Sequence, residues 1–259
     1  MLTSVTQQPE KPLFIFLPGL DGCGELLQWQ ITQGLATGFD IRTFAIPPDD
    51  LSTWDELTAK VVTLLEIELA TNHRPIYLCG ESFGGCLALK VALRAPELIH
   101  SLILVNPATC FNQRPWLQWG SHLTGWLPPP LYSVSVIGFL PFLAALERMT
   151  RTQAANLLAA MQFPPQATTS WRLNLMREFE ILPQQLAEFT KPVLLIASSN
   201  DLILASVQES ERLLHYFPNA QRVILPHSGH TCLLETDINL TRILKNHKFW
   251  PQLEFAWRE

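Results

Sequence analysis

The stretch from Ile76 to Arg94 constrains the fold more than any other part of this 259-residue chain. Ile76 to Cys79 is a short apolar run opened by Pro75, and Phe83 to Arg94 is a helical pattern that Pro96 stops. Between them stands Gly80-Glu81-Ser82-Phe83-Gly84, followed by Gly85. A strand that turns into a helix over so few residues forces the central serine into strained backbone geometry. Glycines two residues either side remove the Cβ atoms that would collide with the strand and the helix. G-x-S-x-G in a strand–turn–helix setting marks a nucleophilic serine, whereas the same five letters elsewhere are only a glycine-rich turn.

The rest of the chain repeats the strand-then-helix theme. Leu13 to Leu17, Ile41 to Ile46, Ser101 to Val105, Val193 to Ala197 and Arg222 to Leu225 read as strands. Helices are predicted over residues 25–37, after a Thr53/Glu56 capping box, over about Val207 to Phe217, and from near Thr231. Apolar runs alternating with helices predict an α/β fold, a mostly parallel sheet covered by helices on both faces. Ligands of such sheets sit outside the carboxyl ends of the strands. Residues 111–187 break the alternation: they carry no strand-like run but hold Trp116, Trp119, Trp126 and Trp171. A structureless loop of that length is unusual, so the expected division is a core of residues 1–110 and 188–259 with a helical cap inserted at 111–187.

A serine hydroxyl needs an adjacent base. His230, in Pro226-His227-Ser228-Gly229-His230, follows the last strand and is the candidate; His227 lies nearer the strand and reads as structural. Asp201 follows the strand Val193 to Ala197, which gives the chain order serine, acid, histidine. Its bland reading is a turn aspartate, and Glu235 and Asp237 rival it by proximity to His230 alone. An acyl-transfer site also needs amide donors for a developing oxyanion. The candidates are the N–H groups of Phe83 and of Leu20, the latter in Pro18-Gly19-Leu20-Asp21-Gly22, where Asp21 shapes the turn. Trp116, Trp119, Trp126 and Leu127 are candidates for an apolar substrate lining, with packing of the cap as the alternative for each one.

Charged residues make up 16% of the chain and the net charge is −5, so the basic clusters of a nucleic-acid binder are missing. The five cysteines form no C-x-x-C pair, which points to free thiols in a reducing compartment and to no metal site. No cofactor is expected. The polar N-terminus has no signal-peptide pattern. The apolar run Leu131 to Leu146 is broken by Ser133, Ser135, Gly138 and Pro141, and falls short of the roughly 20 residues a spanning helix needs. The expected setting is cytoplasmic, at most peripheral to a membrane through the cap.

Five blocks in order, LPGLDGCGELLQWQ, GESFGGCLALKVALRAPE, LILVNPAT, SSNDLILAS and SGHTCLLE, resemble the α/β-hydrolase superfamily. Within it they are similar to the hydrolase half of the phytyl ester synthase (esterase/lipase/thioesterase) group of plants and cyanobacteria. Cys23 stands where that group's loop has threonine. The plant proteins carry an acyltransferase-like domain after the hydrolase half, and these 259 residues leave no room for it. The resemblance implies chemistry on lipid-like esters or thioesters through Ser82, Asp201 and His230, in a photosynthetic cell. Three readings stay open: a serine hydrolase cleaving hydrophobic carboxylic esters, an acyltransferase passing the acyl group to an alcohol such as phytol or diacylglycerol, and a non-catalytic binder of hydrophobic ligands. Sequence does not fix the oligomeric state.

Overall fold

The computed structural model describes residues 1–251. Its centre is a seven-stranded sheet built from β1 (Leu2–Ser4), β2 (Leu13–Leu17), β3 (Asp40–Phe44), β4 (Ile76–Glu81), β5 (Ser101–Val105), β6 (Val193–Ser198) and β7 (Ala220–Leu225), in the order β1-β3-β2-β4-β5-β6-β7. Strands β2 to β7 run parallel, and only β1 pairs antiparallel, at the edge beside β3. Every residue of β2, β4, β5 and β6 is buried. These runs are mostly apolar because both faces are covered: Leu13, Ile15 and Leu17 enter one core layer, while Phe14 and Phe16 enter the other.

The helices that cover the sheet are α1 (Gln28–Thr32), α2 (Trp54–Thr71), α3 (Phe83–Arg94), α9 (Ser206–Tyr216) and α10 (Leu240–Asn246). Helix α2 starts at the expected capping box: Thr53 Oγ1 accepts from the Glu56 amide and Glu56 Oε2 from the Thr53 amide. Three expectations need correction. The helix over 25–37 is broken into short turns around α1, and Gly34, at φ +102°, separates α1 from the last of them. The helix near Thr231 is a single 3₁₀ turn, Cys232–Leu234, and the helix proper begins at Leu240 under the Asn239 cap. Strand β1 is an addition: its three residues carry no apolar alternation that a sequence could display.

Between β5 and β6 the chain runs through α4 (Pro115–Thr124), α5 (Pro129–Leu143), α6 (Arg151–Gln162), α7 (Gln166–Arg177) and α8 (Pro183–Glu188). This segment is tied down at several points. Trp171 Nε1 donates to Ser52 O at 3.0 Å, and Trp54 Nε1 donates to Leu175 O at 2.8 Å. Thr231 N donates to Leu143 O at 3.0 Å. All five cysteines are free, and four of them are buried.

Candidate active site

The carboxyl ends of five strands converge on one point. Ser82 follows β4 and caps α3 with φ 54° and ψ −116°, the strained conformation the sharp turn demands. The two glycines are required by space. A Cβ on Gly84 would stand 2.0 Å from Leu17 O, and one on Gly80 would stand 2.2 Å from Gly84 O. Any side chain there would push α3 off the sheet and move Ser82 with it.

His230 and Asp201 arrive from the loops after β7 and β6. His230 Nε2 lies 2.8 Å from Ser82 Oγ, and Nδ1 lies 2.7 Å from Asp201 Oδ2. A carboxylate only accepts, so Nδ1 carries the proton and Nε2 is left to accept from the serine hydroxyl. Asp201 is itself held fast: Oδ1 accepts from the Ile203 and Leu204 amides at 3.0 Å each, and Oδ2 also accepts from Ser206 Oγ. Burial opposes ionisation of Asp201, but His230 and these donors outweigh it and hold its pKa below the usual carboxylate value. Burial alone would lower the pKa of His230; the carboxylates of Asp201 and Glu81 outweigh it and raise that pKa. The sequence rivals are engaged elsewhere. Glu235 accepts from the Gly229 amide at 2.7 Å and pairs with Arg148, as does Asp237. His227 sits at φ 59°, and its backbone amide donates to Ser199 Oγ.

The amides of Leu20 and Phe83 donate to no other group among the described residues. Asp21 folds its own loop, as its sequence setting implies: Oδ2 accepts from the Cys23 and Gly24 amides at 2.9 and 3.3 Å. Over this floor lies a cavity of about 380 Å³, reached by Ser82, His230 and Leu20 and roofed mainly by apolar side chains such as Trp116, Val136 and Phe139.

Trp116 and Leu127 line that cavity, but Trp119 and Trp126 do not. They are 74% and 87% exposed. Helix α4 turns Trp116, Gly120 and Thr124 toward the cavity at four-residue spacing, which carries Trp119 to another face. Their expected place in the lining is corrected accordingly.

Three residues of the site escaped the sequence. Glu81, the last residue of β4, is buried and borders the cavity beside Ser82. Its carboxyl has no hydrogen-bond partner among the described residues; burial pushes it up to about 7, with Asp21 adding to that shift and His230 opposing it. Asn106, fully buried at φ 41°, donates from Nδ2 to His230 O at 2.7 Å and to Ser198 Oγ at 2.8 Å, and accepts from Ser198 N at 2.8 Å. Arg172 of α7 reaches Leu20 O. Only the position of Glu81 inside G-x-S-x-G was a signal; Asn106 and Arg172 have none. Among the described residues no group of three His, Cys, Asp or Glu could hold a metal ion.

The arrangement has the parts of an acyl-transfer site: a serine, an imidazole in the accepting tautomer, a buried carboxylate behind it, and two unengaged amides nearby. Comparisons with known proteins agree on the class. A family model described as serine aminopeptidase, S33 matches residues 50–237. The chain is 33% identical over 260 residues to phytyl ester synthase 1, chloroplastic, of Arabidopsis thaliana. That match covers 91% of this chain but 37% of the plant protein, so the chain spans little more than a third of that relative's length. It is 31% identical over 165 residues to a pimeloyl-acyl-carrier-protein methyl ester esterase of Nitrosomonas europaea, covering 61% of this chain and 65% of that one. In fold it is similar to MenH from S. aureus, with a TM-score of 0.77 at 17% identity, over 96% of this chain and 97% of that one.

Proposed function

Because the chain belongs to the serine aminopeptidase S33 family of α/β-hydrolases, we propose that it is a serine hydrolase that cleaves carboxylic esters of hydrophobic, lipid-like substrates through an acyl-enzyme on Ser82. The observation that carries the reading is the hydrogen-bonded line from Ser82 through His230 to Asp201 on the floor of an apolar cavity. Ser82 Oγ attacks the ester carbonyl while His230 Nε2 takes its proton. The Leu20 and Phe83 amides receive the oxyanion. His230 returns the proton to the leaving alkoxide, and water, deprotonated by the same imidazole, then releases the acid. Asp201 holds the tautomer and stabilises the imidazolium. The family description names an aminopeptidase, but the apolar roof favours an acyl chain over a charged amine.

Helices 111–187 serve in this reading as a cap over the two core segments. Trp119, Trp126 and Leu123 lie exposed on it, which favours peripheral contact with a lipid surface. No described helix is long and apolar enough to cross a membrane.

Acyl transfer to an alcohol such as phytol is the second reading, favoured by the similarity to a phytyl ester synthase. Ser82→Ala with a panel of esters and acyl thioesters tests the shared step: activity falls to background while the melting temperature holds, and a fluorophosphonate probe labels the parent only. Substantial residual turnover in the variant overturns the mechanism. Product analysis with and without added alcohol separates free acid from transferred ester.

A further inference from the structure

Of the buried residues of α7, Arg172 alone carries a charge. It is 1% exposed. Among the described residues no carboxylate touches it: Nη1 donates to Leu20 O at 2.6 Å and Nη2 to Pro47 O at 3.0 Å, while Asp21 and Asp50 act on it at longer range. Burying a cation without an ion-pair partner is costly. Two neutral carbonyls repay it poorly in energy, but they are an effective way to fix distances. A guanidinium is a rigid planar fork. It spans the loop after β2 and the segment after β3, and so locks one to the other.

The loop is shaped to receive it. Gly22 has φ +72°, and a Cβ there would stand 2.6 Å from Arg172 Nη1. The Gly22 amide closes the turn on Gly19 O at 3.1 Å, with Leu20 inside that turn. Fixing the Leu20 carbonyl therefore fixes the peptide plane that follows Leu20, and the closed turn restrains the plane before it, which carries the Leu20 N–H.

We infer that Arg172 is a positioning residue: reaching from the helical segment into the core, it holds the Leu20 loop so that the Leu20 amide faces the oxyanion formed at Ser82. The inference rests on the reading of Ser82 as nucleophile and of the Leu20 amide as oxyanion donor. It makes α7 part of the catalytic frame rather than a cover over it.

The test uses Arg172→Met, Arg172→Lys and, as control, Trp171→Phe, which removes the bond from α7 to Ser52 O and leaves the loop alone. For each, kcat and KM on a short chromogenic ester, the melting temperature and the affinity for an alkyl boronic acid are measured; the boronate forms a tetrahedral adduct on the serine. Removing an oxyanion donor outright costs about 10²–10³ in kcat, so a displaced donor costs somewhat less. Arg172→Met lowers kcat by roughly ten- to a hundredfold with KM within about twofold, and boronate affinity falls by a similar factor. Arg172→Lys falls between, because an ammonium reaches one carbonyl only. Trp171→Phe keeps the parent kcat and boronate affinity.

Parent-like kcat in Arg172→Met, or an equal loss in Trp171→Phe, overturns the inference. If Arg172→Met fails to fold, Arg172→Lys decides: an unfolded chain or a parent-like kcat there makes Arg172 a stability residue only. Ser82→Ala in the same assay keeps the two failures apart. Activity surviving in Ser82→Ala defeats the underlying reading, whereas an inactive Ser82→Ala with an unaffected Arg172→Met defeats the role of Arg172 alone.

Discussion

Asp201→Asn separates the orienting role of the acid from its bulk. In the parent rotamer Oδ1 accepts from two amides, Ile203 and Leu204, and Oδ2 accepts from Ser206 and His230. A carboxamide that keeps the two amide bonds must place its NH₂ against His230 Nδ1. That nitrogen then has to accept, the ring proton moves to Nε2, and His230 donates to Ser82 instead of accepting from it. The wrong-tautomer enzyme loses about 10⁴ in kcat, as for an acid-to-amide change in a serine protease triad. Flipping the amide restores the tautomer but leaves the Ile203 and Leu204 amides facing NH₂. Each unsatisfied buried donor costs about 1–3 kcal/mol, so the flip costs roughly 2–6 kcal/mol. At about 1.4 kcal/mol per decade of rate, the flipped minority limits the loss of kcat to between about thirtyfold and 10⁴. Stability adds a second readout. Asp201 has a folded-state pKa below its unfolded value, so its contribution is present above the unfolded pKa, near 4, and is lost as pH falls through the folded one. The gap in melting temperature between parent and variant is therefore widest near neutral pH and closes in acid. The assays are ester turnover and thermal melts at pH 7 and pH 3.5. A variant within tenfold of the parent kcat, with an unshifted pH profile, refutes the orienting role.

Glu81→Gln removes a negative charge that raises the pKa of His230, so the acid limb of the kcat/KM profile moves to lower pH. Glu81 has a folded-state pKa of about 7, above its unfolded value of about 4.3, so the variant gains relative melting temperature as pH rises between those two values and the gap is constant above them; an unmoved limb and a gap that does not change across that window contradict both statements. Asn106→Ala strands Ser198 N, Ser198 Oγ and His230 O, which costs roughly 3 kcal/mol or more and lowers the melting temperature by on the order of 6–12 °C, as scanning calorimetry would show. Arg148→Ala leaves the buried Glu235 without the cation 2.9 Å away and frees Pro226 O. The expected loss is about 3 kcal/mol, together with a fall in kcat because the His230 loop is loosened; denaturant titration and ester turnover check both.

The sheet was legible because its strands are buried on both faces, which makes LFIFL, SLILV and VLLIA continuous apolar runs. Ser82, His230 and Asp201 were legible because a strained turn, a chain order and strand ends leave local marks. β1 was not, since three exposed or half-exposed residues at a sheet edge obey no burial pattern. Arg172 and Asn106 were not, because their partners lie far away in sequence: Leu20 is 152 residues from Arg172, and His230 is 124 from Asn106. The outward direction of Trp119 was hidden for a related reason. Composition says that α4 is rich in tryptophan, but which face of it meets the cavity depends on what the helix packs against.

Those long-range ties change what the helices between β5 and β6 are to the site. Arg172 grips the loop that carries Leu20, and Leu143 O receives the amide of Thr231, the neighbour of His230. Arg148 binds Pro226 O and both acids of the turn that follows His230. Gly229 fits under this segment only because it lacks a Cβ, which would stand 2.6 Å from Ala145 N. The loop that carries His230 and the loop that carries Leu20 are thus both held by the helices between β5 and β6. Lifting the whole segment would break these contacts and release both loops. The exposed apolar side chains Trp119, Leu123, Trp126, Leu131 and Val134 stand on α4 and the start of α5, away from these ties, and no Asp, Glu, Lys or Arg falls between Arg114 and Glu147.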